Sequence, residues 1–231
     1  MKREAMEQST QPSESSSSVT YADHRDIPHR MKFEYAHNLR DPARRAIEAL
    51  QDILDCFSSP SVDVKDVMQK VADTICKSFG IDNAAIGLRS PDGMYRYNAI
   101  SGMREEAASS TLKLVYSIDQ FQKDGEYNGT MISKRSKLYL AEDNEYKGLD
   151  LTAMNRPGLV GLKRRSLTDG LEADYIDTFI VGPHEELLGW IEISGTRTGK
   201  LPDVATIRWV EAAASLIAIA IRCDRLRKGV A

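Results

Sequence analysis

A chain of 231 residues with 42% hydrophobic and 28% charged side chains is long enough to bury one substantial core. Its net charge of −3, without a long run of one sign, argues against a nucleic-acid surface, and Lys163-Arg164-Arg165, the densest basic spot, has acids close behind it and reads as a solvated loop. Cys56, Cys76 and Cys223 lie far apart and form no C-x-x-C pair, so neither a disulfide framework nor a zinc site is suggested, and reduced thiols in a cytoplasmic protein are expected.

The first residues, Met1 to Gln8, lack the apolar stretch of a secretory signal. Residues 1–40 read as a disordered tail: Ser9 to Ser18 is made of Ser, Thr, Gln, Pro and Glu, with nothing to bury, and a helix is expected only from about Met31. His24, His29 and His37 are scattered through this tail without a fixed carboxylate or cysteine beside them, so they read as solvated side chains rather than metal ligands.

The ordered domain is expected over 41–228. Asp41-Pro42 is an N-cap followed by proline at the first helical position, and Ala43, Ala46, Ile47, Leu50, Ile53, Leu54 and Phe57 recur at helical spacing until Ser58-Ser59-Pro60. A second helix is predicted from about Asp63 to Phe79, striped by Val64, Val67, Met68, Val71 and Ile75 and stopped by Gly80. Strands 83–89 and 94–101 follow, joined by Ser90-Pro91-Asp92-Gly93, whose Asp-Gly favours a hairpin. A short helix over 104–112 and a strand over 137–141 come next.

Residues 142–177 show no sustained period and contain Gly148, Pro157, Gly158, Gly161 and Gly170, which predicts a long lid or binding loop. Tyr175 to Gly195 is a second hairpin, turning at Gly182-Pro-His-Glu-Glu186; His184 sits at its tip, with no second histidine, cysteine or serine nucleophile placed beside it. Asp203 caps a helix over 203–227 whose middle, Ala212 to Ile221, is apolar nearly all round. That run is interrupted by Ser215 and too short to span a bilayer, so no membrane is expected. One side should cover the sheet and the other a partner, which predicts a homodimer through this helix and the 42–57 helix.

This order of elements resembles the GAF domain, a ligand-binding relative of the PAS fold. The resemblance rests on Leu187-Leu-Gly-Trp-Ile-Glu-Ile193, on Thr206 to Ile221, and on Asn83-Ala-Ala-Ile-Gly-Leu88, and covers about 42–227. Thr130 to Leu140 is similar to a subgroup in prokaryotic sensor proteins, sensor kinases included. The resemblance implies an α+β fold: a central antiparallel sheet, helices on one face at a dimer interface, and a pocket on the other roofed by loops and short helices. It further implies a sensory module; such domains bind cyclic nucleotides, bilins, haem or small metabolites, or serve as interaction modules without a ligand. The residue set of cyclic-nucleotide-binding members finds no match, and the cysteines, all on predicted helices, suit neither bilin attachment nor the thiol chemistry of the sulfoxide reductases of this family. Beyond Ile221 the chain has only Arg222 to Ala231, too little for an output domain.

Side chains alternate along a strand, so Leu187, Gly189, Ile191 and Ile193 should face the helices, and Leu188, Trp190, Glu192 and Ser194 the pocket. A carboxylate beside an indole suits a pocket wall where few polar groups orient a ligand. Tyr95, Tyr97 and Tyr139 are candidate aromatic walls, Arg89 and Asn98 candidate polar groups, and Tyr175 and Arg156 candidates to close over a ligand. The competing reading is that Trp190 packs as core beneath 142–177. The expected role is a stand-alone cytoplasmic sensor that binds a small molecule or cofactor, haem being one candidate, and signals to a separate partner. A ligand-free interaction module and a thiol-based reductase are the alternatives; no catalytic constellation is evident.

Overall fold

The computed structural model describes Pro28 and residues 31–33, 42–58, 63–122 and 127–229. The chain divides into two units, residues 1–41 and 42–231. In the first, residues 31–33 are helical and exposed. The serine run, the three tail histidines, Asp41 and Ser59-Pro60 lie outside the described residues.

In the second unit, α1 (Pro42–Leu54) runs into a 3-10 turn at Asp55–Ser58, and α2 spans Val64–Phe79. Asp63 caps α2 by accepting from the Lys65 amide at 2.8 Å. Gly80 ends it at φ +66°, the left-handed conformation glycine adopts without strain. The chain then enters β1 (Ile81–Arg89), turns at the Asp92-Gly93 hairpin and returns as β2 (Tyr95–Ser101). After α3 (Glu105–Thr111) come three short elements the sequence did not announce: β3 (Val115–Tyr116), α4 (Ile118–Gln122) and β4 (Gly129–Met131). β5 (Ser136–Tyr139) and, across the expected loop, 3-10 turns at Ala141–Asp143 and Pro157–Leu159 and α5 (Gly148–Ala153) lead to β6 (Tyr175–Val181) and β7 (Leu187–Thr196). The last element is α6 (Val204–Arg227), capped by Asp203 accepting from the Thr206 amide at 2.7 Å.

The strands form one seven-stranded sheet in the order β3-β2-β1-β7-β6-β5-β4, with every pair antiparallel. Sequence-distant β1 and β7 thus meet at the centre, where β1 is buried on both faces. On one face α1, α2 and α6 bury Ile53, Val71, Ile75, Trp209, Val210 and Ile217 against Ile86, Ile176, Ile191 and Ile193. Phe79 packs on Trp209 at 4.3 Å between ring centres, and the indole N–H donates to the Ala46 carbonyl at 3.2 Å. The other face carries a smaller cluster of Ala85, Tyr95, Tyr97 and Trp190.

α6 has the extent expected from its Asp203 cap onward. Among the described residues it is the one helix long and apolar enough, by length and composition, to cross a membrane, yet Thr206, Trp209, Val210, Ala213, Ala214, Ile217 and Ala220 are buried in this fold.

Two bulges re-aim side chains. Val181 pairs with Leu187 directly after Ile180 pairs with Gly189, so Leu188 is the extra residue on β7. The faces expected for the two leucines are therefore reversed: Leu188 joins the helix-side core, and Leu187 packs with Trp190. A one-residue slip inverts the side chains beyond it. On β2 the bulge falls at Asn98, between Ala99 and Tyr97. Its side-chain oxygen accepts from the Leu88 amide at 3.1 Å, closing the gap in the ladder.

Candidate functional site

Cross-strand pairing builds the site. Lys137 of β5, Asp177 of β6, Glu192 of β7 and Ala85 of β1 stand opposite one another in a row across the sheet. The neighbouring rows on this face bring Tyr139, Tyr175 and Ser194 to one side, and Phe179, Trp190 and Gly87 to the other. Two carboxylates thus sit side by side within a field of rings.

Three adjoining hollows open over this surface, with cavity volumes of about 50, 50 and 20 Å³, room for water molecules and well under the usual size of a small-molecule site. All three are lined by Tyr175 and Glu192, so Glu192 lies at their junction. The first lies over Trp190 and Asp177 beneath Phe121 and Tyr127; the second lies between Tyr116, Tyr146 and Asp150; the third extends to Asn155 and Glu172. All three open to solvent.

The aromatic wall is tightly organised. Trp190 is 1% exposed and meets Tyr97 edge-on at 4.8 Å, Tyr116 at 5.7 Å and Phe121 at 4.9 Å. Tyr139 stacks on Tyr175 at 4.4 Å, with 14° between the ring planes. The indole lies directly over Gly87, where a Cβ would come within 2.2 Å of the ring. Glycine is therefore the residue that admits the tryptophan here.

Polar groups are paired with phenols. Tyr97 donates to Glu192 at 2.5 Å, and Tyr127 to Asp150 at 2.7 Å. Asp177 is buried, and its Oδ1 has no hydrogen-bond partner among the described residues. Burial pushes Asp177 well above the usual carboxylate range and the Glu192 charge adds to this, while Lys137 and the Tyr139 hydroxyl pull the other way. Burial also raises Glu192, opposed by the Tyr97 hydrogen bond and reinforced by Asp150. Glu192 keeps part of its surface open and lines all three hollows. The Tyr97 hydroxyl is held far above its ordinary value, chiefly by burial and then by Glu192.

A pH dependence follows from these directions. Both acids release protons later in the folded chain than in the unfolded one, whose carboxylates titrate at about 4. As pH rises from about 4 the native state holds the extra protons, so stability falls, by at most about 1.4 kcal/mol per pH unit per group. Asp92, Glu142, Asp169, Glu186 and Asp224 are shifted down and contribute the opposite slope, but below that window. Urea unfolding from about pH 5 to 7 should show Asp177→Asn gaining on the wild type as pH increases. A stability difference that stays flat with pH would contradict the shifted carboxylate.

Of the side chains singled out in the sequence, Trp190, Glu192, Tyr97, Tyr139 and Tyr175 come together around the hollows. Tyr95 lies beneath them: it packs on Trp190 and Phe121, and its hydroxyl donates to the Leu187 carbonyl at 3.0 Å. Arg89 and Asn98 line a different cleft, with Val64 and Asp224, on the helix side of the molecule. Arg156 binds Glu172 at 2.9 Å and Asp82 at 3.7 Å, bracing the third hollow from outside. Cys56, Cys76 and Cys223 line none of the hollows, and burial raises the Cys76 thiol, away from a reactive thiolate. His184 is exposed at its turn.

Sequence reasoning passed over Asp177, Tyr116, Phe121, Tyr127, Tyr146 and Asp150. Asp177 had a signal: Tyr175, Asp177 and Phe179 alternate on one face, and a hairpin register through Gly182–Glu186 brings Asp177 opposite Glu192. The others lie on short elements or in the connections between them, whose positions depend on the finished sheet.

No protein-family model and no curated protein matches the sequence. By structure the chain is similar to the GAF domain of a phosphoenolpyruvate-protein phosphotransferase from Coxiella burnetii, with 14% identity, 82% of this chain and 99% of that one covered, and a TM-score of 0.52. It is also similar to the phycoerythrobilin-bound GAF domain of a cyanobacterial phytochrome, with 16% identity, 80% and 99% coverage, and a TM-score of 0.53. A domain of a putative two-component sensor histidine kinase from Sinorhizobium meliloti 1021 gives 14% identity, 73% and 98% coverage, and a TM-score of 0.50. Strand order, helical layer and the hollows opposite it are those of an α+β domain, and the chain has the GAF fold.

Proposed function

We propose that this chain is a cytoplasmic sensory domain that binds a small molecule over the Asp177–Glu192 pair and signals, as a homodimer, to a separate protein. The observation that carries the reading is the buried pair itself, with one oxygen left without a donor. Two adjacent buried acids cost stability, and folding alone gives no reason to keep them in a ring-lined hollow. Proteins similar in structure include a putative two-component sensor histidine kinase, which supports a sensory role by analogy of fold.

A route from the hollow to the helices supports the signalling part. β5 carries Lys137 and Tyr139 toward the site, while on its other side Ser136 donates to Glu211 of α6 at 2.9 Å. Ser133 bonds the same carboxylate, and Arg135 donates to Ser215 at 2.7 Å. A ligand that shifts β5 therefore pulls directly on α6. Along the outer flank of α6, Ala212, Leu216, Ile219, Cys223 and Leu226 recur with heptad spacing, and Ile219 and Leu226 are exposed. Exposed Ile47 and Leu54 of α1 extend the apolar surface.

Native mass spectrometry and an absorption spectrum of the freshly purified protein test the ligand reading directly. A stoichiometric small-molecule adduct, lost on denaturation, is expected; no adduct, and no thermal shift with any metabolite pool, favours an interaction module that takes no ligand. The dimer has its own test. Ile219→Glu places a charge in the seam and should weaken association roughly 100-fold, read by light scattering across a dilution series. A wild type that is monomeric at micromolar concentration removes the dimer from the mechanism.

A further inference from the structure

Building on the reading of these hollows as a ligand site, we propose that the ligand is a small organic cation with N–H donors: a primary or secondary ammonium, or a guanidinium.

The charges around the site point one way. Among the described residues, the linings include Asp150, Glu172, Asp174, Asp177 and Glu192, and no lysine, arginine or histidine. Two of these acids are already answered from behind the wall, Glu172 by Arg156 at 2.9 Å and Asp174 by Arg164 at 2.9 Å. The remaining three meet phenols or nothing. A phenol supplies a proton to share but no positive charge. Lys137 is the one cation in the row, buried beside Asp177 with its Nζ 5.2 Å from the Tyr139 ring centre, and it shares the row with two acids. A phosphate or carboxylate entering here would meet like charge and find no basic group to hold it.

An acidic patch alone would not identify a ligand; the orphan oxygen does. Asp177 is only 5% exposed and lines the first hollow, and its buried Oδ1 has no donor among the described residues. A buried acceptor without a donor is costly, and an N–H from a ligand would satisfy it while an added positive charge would let both acids ionise. That requirement favours ammonium or guanidinium over a quaternary nitrogen, which has no N–H. The rings supply the remainder of the binding surface. Tyr116, Phe121 and Tyr175 are half-buried and line the first hollow above the buried Trp190, offering electron-rich ring surface to a desolvated cation.

Matched probes distinguish charge from shape. Titration calorimetry would compare tyramine with tyrosol and hydroxyphenylacetate, putrescine with butanediol, and tetramethylammonium as the cation without donors. The amine of each series should bind at least about tenfold tighter than its alcohol, with the anion silent and protons released on binding. Asp177→Asn should weaken amine binding by about tenfold or more, while its circular-dichroism melt shows a folded domain. Alcohols or the anion binding as tightly as the amines, or Asp177→Asn binding them undiminished, overturns the cation assignment and leaves the ligand site standing. Silence from every probe, combined with a neutral or anionic co-purified molecule, overturns the cation assignment in the same way. Silence from every probe and an empty purified protein sinks both readings.

Discussion

Trp190→Ala is expected to lower the unfolding free energy by about 3–5 kcal/mol, the range for removing a large buried aromatic side chain. The indole is 1% exposed, and Tyr95, Tyr97, Tyr116 and Phe121 all rest their rings on it. Gly87 beneath has no side chain that could fill the space. The loss would therefore be a cavity rather than a local collapse, and α4, which Phe121 anchors, would be the first element to loosen. Urea unfolding gives the magnitude, and hydrogen exchange over 115–122 tests the location. The reciprocal change, Gly87→Ala, drives a Cβ into the ring plane, where only backbone or indole movement can relieve it; a cost of about 1–3 kcal/mol is expected. A Trp190→Ala loss under about 1 kcal/mol would mean that the aromatic cluster is not the second core of this fold.

Arg164→Ala should cost a comparable amount, about 3–5 kcal/mol, because it leaves a buried acid without its cation. Asp174 is 4% exposed, and both its oxygens lie 2.9 Å from Arg164 Nη2. The same carboxylate accepts from the Ala141 amide at 2.9 Å and the Leu171 amide at 2.7 Å. Arg164 also binds Glu142 at 3.0 Å and donates to the Asp169 carbonyl. One guanidinium thus ties both ends of the 141–174 segment to the start of β6. Arg164→Lys keeps the charge but not the fork of donors, and should recover only part of the loss. Limited proteolysis offers a readout distinct from global stability: cleavage within 142–170 should speed up in Arg164→Ala before the core opens. Cleavage that tracks global unfolding alone would show that the segment needs no pin.

This segment marks the boundary of what could be read in advance. Its glycines and Pro157 announced a long connection, and that much was legible. Its two turns of 3-10 helix and α5 were not, because six residues or fewer carry no periodicity above noise, and Arg164 looked like one member of a solvated basic run. What makes Arg164 structural is Asp174, which becomes its partner only when the segment folds back. The strand pattern shows the same limit on a finer scale. Alternation placed Trp190 and Glu192 on the face away from the helices, where the structure has them, but Leu187 and Leu188 were exchanged by a bulge that exists only in the pairing with β6.

The amino-acid sequence by itself determined the elements with long local periods: α1, α2, both hairpins and α6, with Asp203 as a cap and Gly80 as a stop. Those features rest on contacts within one or two turns of chain, where neighbouring residues state the whole interaction. Only the tertiary structure decided that β1 and β7 meet at the centre, that Asp177 and Glu192 share one row, and that α4 and α5 close over them. The reason is physical: a carboxylate becomes a costly, ligand-seeking group through burial and through its neighbours' charges, and both are properties of the packed sheet rather than of any stretch of chain.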